Sequence, residues 1–244
     1  MQPVLFSADG RAPQRLGCVR VYFGDWRDVA ERWPRSAVAI FDPPYGIRYA
    51  SGMQGRGWAG RTDKGDAREL ASEIIGDENT RERDDVLARG WPAAAAFGPA
   101  RLDRVPPWGD PRAVLIWDKG EGVGMGDLSF PWRPNYETIA IYGDGWTGKR
   151  TTSVLQGRVL AFGSGSVCNG RHHPHEKPLS VMAELVSKAP PGDVVDPHAG
   201  SGSTLIAAAL LGRDAWGAEI DPRYREVLLD RLASNGIQAI ELSV

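Results

Sequence analysis

Cysteine is scarce in this chain: Cys18 and Cys168 are the only two among 244 residues. Two thiols cannot build a disulfide framework or a cysteine-rich metal site, so a reduced, cytoplasmic setting is the expectation. Long apolar runs are missing too. The longest uncharged apolar stretch, residues 205–211, is too short to cross a bilayer, and no membrane role is expected. Asp9, Arg11 and Arg15 interrupt the N-terminus, so no secretory leader is read there. An excess of positive charge is also lacking, because 29 Lys and Arg stand against 31 Asp and Glu. A polyanionic partner would have to meet a local basic patch rather than a global field. Glycine and proline, by contrast, are plentiful at 30 and 18 residues, which forecasts many loops. Nine tryptophans belong mostly in a core, although such rings also serve as stacking surfaces.

Apolar runs bounded by turn residues predict strands over residues 19–23, 37–41, 113–117, 137–142, 194–195 and 215–220. Helical patterns fall on residues 26–33, closed by Pro34, and on 67–75, 82–89, 178–188, 204–211 and 223–233. The last third alternates strand, glycine-rich turn, helix, strand and helix, a parallel βαβ pattern of the Rossmann type. Residues 1–244 read as one domain. Within it, residues 51–110 lose the pattern and read as an insertion or lid, a candidate target-recognition region.

The glycine-rich turn follows the strand at 194–195. Gly200 and Gly202 flank Ser201, so backbone can approach a ligand with no Cβ in the way. The helix behind offers unpaired N–H groups. Glu219 stands 23 residues after Asp196, at the end of the next strand, where an acid can accept from both hydroxyls of a ribose. An adenosine-containing cofactor fits this set. Asp196 directly before the turn would repel a pyrophosphate but could pair with a cationic amino group, which favours S-adenosylmethionine over NAD.

A second corner, Asp42-Pro43-Pro44-Tyr45, ends the strand at 37–41. Consecutive prolines cannot continue a sheet, so they hold a carboxylate, a carbonyl and an aromatic ring in fixed relation. That set suits a planar base with an exocyclic amino group: two N–H donors for Asp42 and the Pro43 carbonyl, and a ring face for Tyr45. The one basic stretch of note, residues 145–177, carries Lys149, Arg150, Arg158, Arg171 and Lys177 against Glu176 alone. Lys149, Arg150, Arg158 and Arg171 are candidate phosphate contacts. His172, His173 and His175 have no second ligand cluster near them in sequence, and no metal is expected. Asp118 and Glu137, at strand ends, receive no role. Trp58 and Trp146, in glycine-rich loops, are minor candidates for contact with nucleic acid.

Together these residues resemble the amino-methyltransferase superfamily that modifies DNA bases. Asp42-Pro43-Pro44-Tyr45 looks like its catalytic motif. Residues 196–204 look like its cofactor motif, Asp-Pro-Phe-x-Gly-Ser-Gly-Thr-Thr, with His198 in place of Phe; an imidazole can also lie flat against the cofactor. His173-Pro174-His175-Glu176-Lys177-Pro178 is similar to the His-Pro-Thr-Glu-Lys-Pro segment, and Gly24-Asp25 resembles the acidic turn that meets the cofactor's adenine. The catalytic motif precedes the cofactor motif, the permuted order of the beta group. The resemblance covers residues 18–50 and 113–234. It implies a Rossmann-like S-adenosylmethionine-dependent methyltransferase fold, mostly parallel with helices on both faces. Asp25, Lys177, Asp196, Pro197, His198, Gly200, Ser201, Gly202, Thr204, Glu219 and Ile220 would surround the cofactor.

The implied reaction puts a methyl group on an exocyclic amino nitrogen of a base flipped from double-stranded DNA. N6 of adenine is preferred for a motif beginning with Asp, and N4 of cytosine is the alternative. Relatives of this group often dimerise, and a cognate restriction endonuclease is a further partner the resemblance suggests. The rivals are methylation of RNA or of a protein glutamine, an NAD-dependent oxidoreductase, and a non-catalytic DNA-binding module.

Overall fold

The computed structural model describes residues 15–47, 74–100, 108–120, 131–132, 134–157 and 176–244. Among these residues one nine-stranded sheet forms: β1 Val19–Phe23, β2 Val38–Phe41, β3 Ala93–Gly98, β4 Ala113–Asp118, β5 Tyr136–Gly143, β6 Val154–Gln156, β7 Val194–Asp196, β8 Ala215–Glu219 and β9 Ala239–Leu242. The order across it is β6-β4-β5-β3-β2-β7-β8-β1-β9. Every neighbouring pair is parallel except those made by β5, which runs antiparallel to both β3 and β4.

Central strands of a largely parallel sheet are buried on both faces and read as unbroken apolar runs. β2, Val-Ala-Ile-Phe, is buried at all four positions. Its side chains alternate between two cores. Val38 and Ile40 face the core under α2 (Leu179–Lys188), α3 (Ser203–Leu210) and α4 (Arg225–Ser234). Ala39 and Phe41 face a smaller core with Trp26, Trp33 and the apolar residues of α1 (Arg81–Ala88), Val86 and Leu87. Burying one such aliphatic or aromatic side chain contributes about 1.5–3 kcal/mol. α3, Ser-Thr-Leu-Ile-Ala-Ala-Ala-Leu, is buried almost all round, as expected of a helix pressed into a core.

The structure corrects several expectations. Residues 51–110 are not one insertion. β3 lies within that span, buried at five of six positions and paired with β2 and β5 in the middle of the sheet. Its sequence, Ala-Ala-Ala-Ala-Phe-Gly, has no β-branched residue, and alanine favours helices when context does not decide. The helix expected at 67–75 falls almost wholly outside the described residues. Residues 26–33 form two 3-10 turns, Trp26–Asp28 and Ala30–Arg32, rather than one helix. β6 and β9, at the two sheet edges, are not predicted by the sequence pattern.

The topology fixes where a ligand can go. The chain leaves β2 toward β3 on one side, and leaves β7 toward β8 on the other, while β2 and β7 are parallel neighbours. Their carboxyl ends therefore open a crevice at the point where connections diverge, the place where such sheets bind ligands. The proline corner follows β2 and the glycine-rich turn follows β7.

Candidate active site

The proline corner sits in a cluster of charged groups. The Tyr45 hydroxyl lies 2.8 Å from Asp42 Oδ1 and 2.9 Å from Glu137 Oε2. A phenol has one proton, so it donates to one carboxylate at a time. Lys177 contacts Asp42 Oδ2 directly and reaches Glu137 Oε2 at 3.2 Å. Lys119 holds the other Glu137 oxygen at 2.5 Å. Two carboxylates and two ammonium groups thus balance around one phenol. Lys177 is only 6% exposed, with its Nζ 5.2 Å from the Phe97 ring centroid and 5.6 Å from that of Trp117. Such contacts stabilise a cation away from water.

The ionisation of this cluster follows from its geometry. Burial works against charge on Lys177, but Asp42 and Glu137 outweigh it and keep the ammonium protonated above its usual range. Burial likewise opposes charge on Glu137, and Lys177, Lys119 and the Tyr45 hydroxyl overcome it, holding the carboxyl well below its usual range. Burial and the two nearby carboxylates push the Tyr45 phenol well up, so it remains a neutral donor. The corner is anchored at its far end by Asp77, whose Oδ1 accepts from the Gly46 N–H at 2.7 Å. Gly46 has φ +71°, and a Cβ there would lie 2.5 Å from the Asn79 backbone, so only glycine fits.

The glycine-rich corner has the opposite character. Gly200 and Gly202 adopt φ +52° and +85°, and Gly202 caps α3. Asp196, 3% exposed, accepts from the His198 N–H at 3.0 Å and from Thr204. Glu219 accepts from the Gly200 N–H at 2.6 Å and the Asp221 N–H at 2.7 Å. Burial outweighs these bonds and pushes both carboxyls up to about 7. Two buried acids held by neutral donors are suited to a ligand that brings positive charge and hydroxyl donors. A pyrophosphate would add to the repulsion, so the donor set fits S-adenosylmethionine and not NAD.

Around this corner, Asp25 follows β1 beside β8, with Gly24 N–H bonded to Glu219 O at 2.9 Å. The Asp25 carboxylate caps its own turn through Arg27 N–H at 3.0 Å and pairs with the Arg27 guanidinium at 3.1 Å. Arg27 also binds Glu82 and Asp85 of α1, at 3.2 and 2.6 Å. Glu82 in turn lies 3.4 Å from His198 Nε2. The His198 and Arg27 contacts hold the Glu82 carboxyl at about 2. The imidazole at the position where the resembled motif has Phe is therefore tied to α1, and its ring tilts against Phe41 at 5.9 Å. Ile220 stands 44% exposed just past Glu219.

The two corners are neighbours at the carboxyl ends of β2 and β7. The Phe41–His198 contact joins them directly, and the Asp42 charge is close enough to raise the Asp196 carboxyl. Lys177 lies on the proline corner rather than against the glycine-rich turn. Lys149 and Arg150 are exposed and lie elsewhere. Thr147 N–H bonds Lys188 O at 2.9 Å, and Thr151 contacts Glu184 and Lys188, so their loop packs at the C-terminal end of α2. α2 starts beside Lys177, and its ten residues carry that end about 15 Å away, toward the start of β7 at the opposite end of the strands. Trp146 packs against the core there, its Nε1 donating to Tyr142 O at 3.0 Å. Arg158, Arg171, Trp58 and the three histidines at 172, 173 and 175 lie outside the described residues.

Three groups that contact the two corners are not evident in the sequence. Glu137 and Lys119 reach the corner only through the β4–β5 register, which sets Trp117 opposite Glu137. Arg231 of α4 is 5% exposed and donates to Ser201 O at 2.6 Å and Ser201 Oγ at 2.7 Å, while pairing with Glu176 at 2.7 Å. It thereby fixes the glycine-rich turn from behind. A charged residue at an inward helical position was the available signal.

Comparison with known proteins gives a consistent result. The profile of the family described as DNA methylase matches residues 109–230, half of the chain. The Escherichia coli (strain K12) protein named as methylase YubD is 42% identical over 225 residues, covering 86% of this chain and 88% of that protein. A DNA modification methylase of Thermus thermophilus, TTHA0409, solved with S-adenosyl-L-methionine, superposes with TM-score 0.55 at 21% identity over 92% of this chain and 99% of its own. The cytosine-N4-specific PvuII DNA methyltransferase gives TM-score 0.55 at 14% identity over 96% of this chain and 99% of its own. These structures share the Rossmann-like methyltransferase fold.

Proposed function

Because this chain belongs to the DNA methylase family, we propose that its cleft transfers a methyl group from S-adenosylmethionine to an exocyclic amino nitrogen of a base in DNA, N6 of adenine first. One observation carries the reading: the proline corner and the glycine-rich corner meet at the carboxyl ends of adjacent parallel strands, joined through Phe41 and His198. When bound, the cofactor supplies a methyl activated by a sulfonium. Asp196 and Glu219 would hold its cationic and ribose ends, with Asp25, His198 and Ile220 at the rim. The order of the motifs along the chain fits the beta group.

An aromatic amine is a poor nucleophile because its lone pair is delocalised. Asp42 and the Pro43 carbonyl, accepting from its two N–H groups, draw the nitrogen toward tetrahedral geometry. Asp42 then faces the positive charge that builds on nitrogen. A preorganised contact of this kind typically contributes on the order of 3 kcal/mol to the transition state. The base has to leave the duplex, at a few kcal/mol, and stacking on Tyr45 returns about 1–3 kcal/mol. The Tyr45 ring is well set for this, since its hydroxyl is fixed by two carboxylates.

Cytosine N4 is the second reading, favoured by the likeness of fold to the PvuII enzyme; Asp rather than Ser at position 42 favours adenine. The test is methyl incorporation from labelled cofactor into DNA, followed by nucleoside analysis. N6-methyladenine is expected. Asp42→Ala should lower the rate at least about 100-fold with cofactor binding retained. An Asp42→Ala protein as active as wild type overturns the reading.

A further inference from the structure

Both Asp42 oxygens have a partner before any base arrives. Its Oδ1 takes the Tyr45 hydroxyl at 2.8 Å, and its Oδ2 takes the Lys177 ammonium. An ammonium on that carboxylate stands where the target's amino group has to bind, and it cancels the negative charge that would stabilise the developing cation. The reading of Asp42 as the acceptor of the base is incomplete unless Lys177 can leave.

The structure shows where it would go. Lys177 Nζ already bridges the two carboxylates, in closer contact with Asp42 Oδ2 and at 3.2 Å from Glu137 Oε2, so a small side-chain rotation lets go of Asp42 while keeping Glu137. Phe97 and Trp117 flank this position at 5.2 and 5.6 Å and keep a cation stabilised along the way. Glu137 is built to receive it. Lys119 fixes its Oε1, and it is nearly buried. Its carboxyl is held well below the ordinary range, which makes it a standing negative charge and a poor proton acceptor. A proton relay from Asp42 through Tyr45 is therefore disfavoured, and a counter-charge role is favoured.

Resting on the methyl-transfer reading above, we propose that Lys177 and Glu137 form a counter-charge switch: Lys177 guards Asp42 in the empty site and shifts onto Glu137 when the amino group of the target base enters. No bond is made or broken in the shift. Glu137 is a positioning residue, and Lys177 is a stand-in for the base amino group.

The experiment compares the full-length wild type with Glu137→Gln, Glu137→Gln/Lys177→Met, Lys177→Arg and Asp42→Ala. It reads kcat for methyl incorporation into DNA and, separately, cofactor Kd by calorimetry. In Glu137→Gln the ammonium has only Asp42 left, so kcat should drop about 100-fold, with cofactor Kd changed less than twofold. Removing the ammonium as well should bring kcat back at least tenfold above the single variant, a recovery that a merely structural role would not give. Lys177→Arg keeps the charge, but its rigid planar fork pins both carboxylates where a single ammonium can pivot off one of them, so kcat should fall at least tenfold while cofactor binding persists. This arm stands if Glu137→Gln does not fold.

A double variant no more active than Glu137→Gln, or a Lys177→Arg protein as fast as wild type, overturns the switch. Glu137→Gln with wild-type kcat beside an inactive Asp42→Ala overturns the switch alone and leaves the methyl-transfer reading intact. Asp42→Ala as active as wild type, or a cofactor-binding wild type that methylates no DNA, overturns both.

Discussion

The two corners of the cleft solve opposite electrostatic problems. The proline corner carries its own counter-ions: Asp42 and Glu137 face Lys177 and Lys119, and every charge has a partner before substrate arrives. The glycine-rich corner does not. Asp196 and Glu219 are buried with backbone donors and Thr204 rather than a paired cation among the described residues, and both carboxyls sit near 7. A neutral guest that turns cationic only during reaction needs a site held ready and shielded. A guest that arrives cationic can itself complete a site left short of positive charge. The asymmetry is what a methyl acceptor and a methyl-carrying cation would each require.

The comparison can be broken at its acidic end first. Asp196→Asn combined with Glu219→Gln should weaken S-adenosylmethionine binding by about 3 kcal/mol, roughly 150-fold, since each removes a hydrogen bond to a charged acceptor. Calorimetric titration reads this, and an affinity within fivefold of wild type would show that the acids do not meet the cofactor. A smaller effect sharpens the contrast through pH. Carboxyls near 7 in the folded protein, against about 4 when unfolded, bind protons more tightly in the native state. Stability from these two groups is thus present at low pH and lost as pH rises from about 4 through about 7. The melting temperature of the free protein should fall between about pH 5.5 and pH 8, and Asp196→Asn should flatten that fall. An unaltered slope in the variant would remove Asp196 as its source. The smallest effect concerns the surface remote from both corners. Lys149→Ala/Arg150→Ala should change the methylation rate less than twofold and leave the salt dependence of DNA binding unchanged. A shallower slope would place DNA on the far edge after all.

The legible parts of the molecule are those whose physics is local. β2 and β7 are short apolar runs ending in turns that only proline and glycine make, and each lies where the pattern predicts. What was hidden depends on contacts distant along the chain. β3 carries four alanines, whose own preference is helical, and becomes a strand only because β2 and β5 flank it. Glu137 looks like any charged residue near a strand start until the antiparallel pairing with β4 brings Lys119 to it. Glu82 belongs to a helix in the stretch read as an insertion, yet it contacts His198 in the glycine-rich turn. Lys149 and Arg150 show a related limit: a basic stretch gives charge but no location, and the loop after antiparallel β5 leaves from the end of the strands opposite the two corners.

Glu176 and Lys177 are consecutive, but they serve different masters: one holds Arg231 behind the glycine-rich turn, the other holds Asp42. On the proposed function, the seats for the two reactants would thereby be referenced to a covalent ruler, the roughly 3.8 Å between successive Cα atoms, rather than to soft packing alone. A single residue inserted between them would leave each corner intact and still detune the pair.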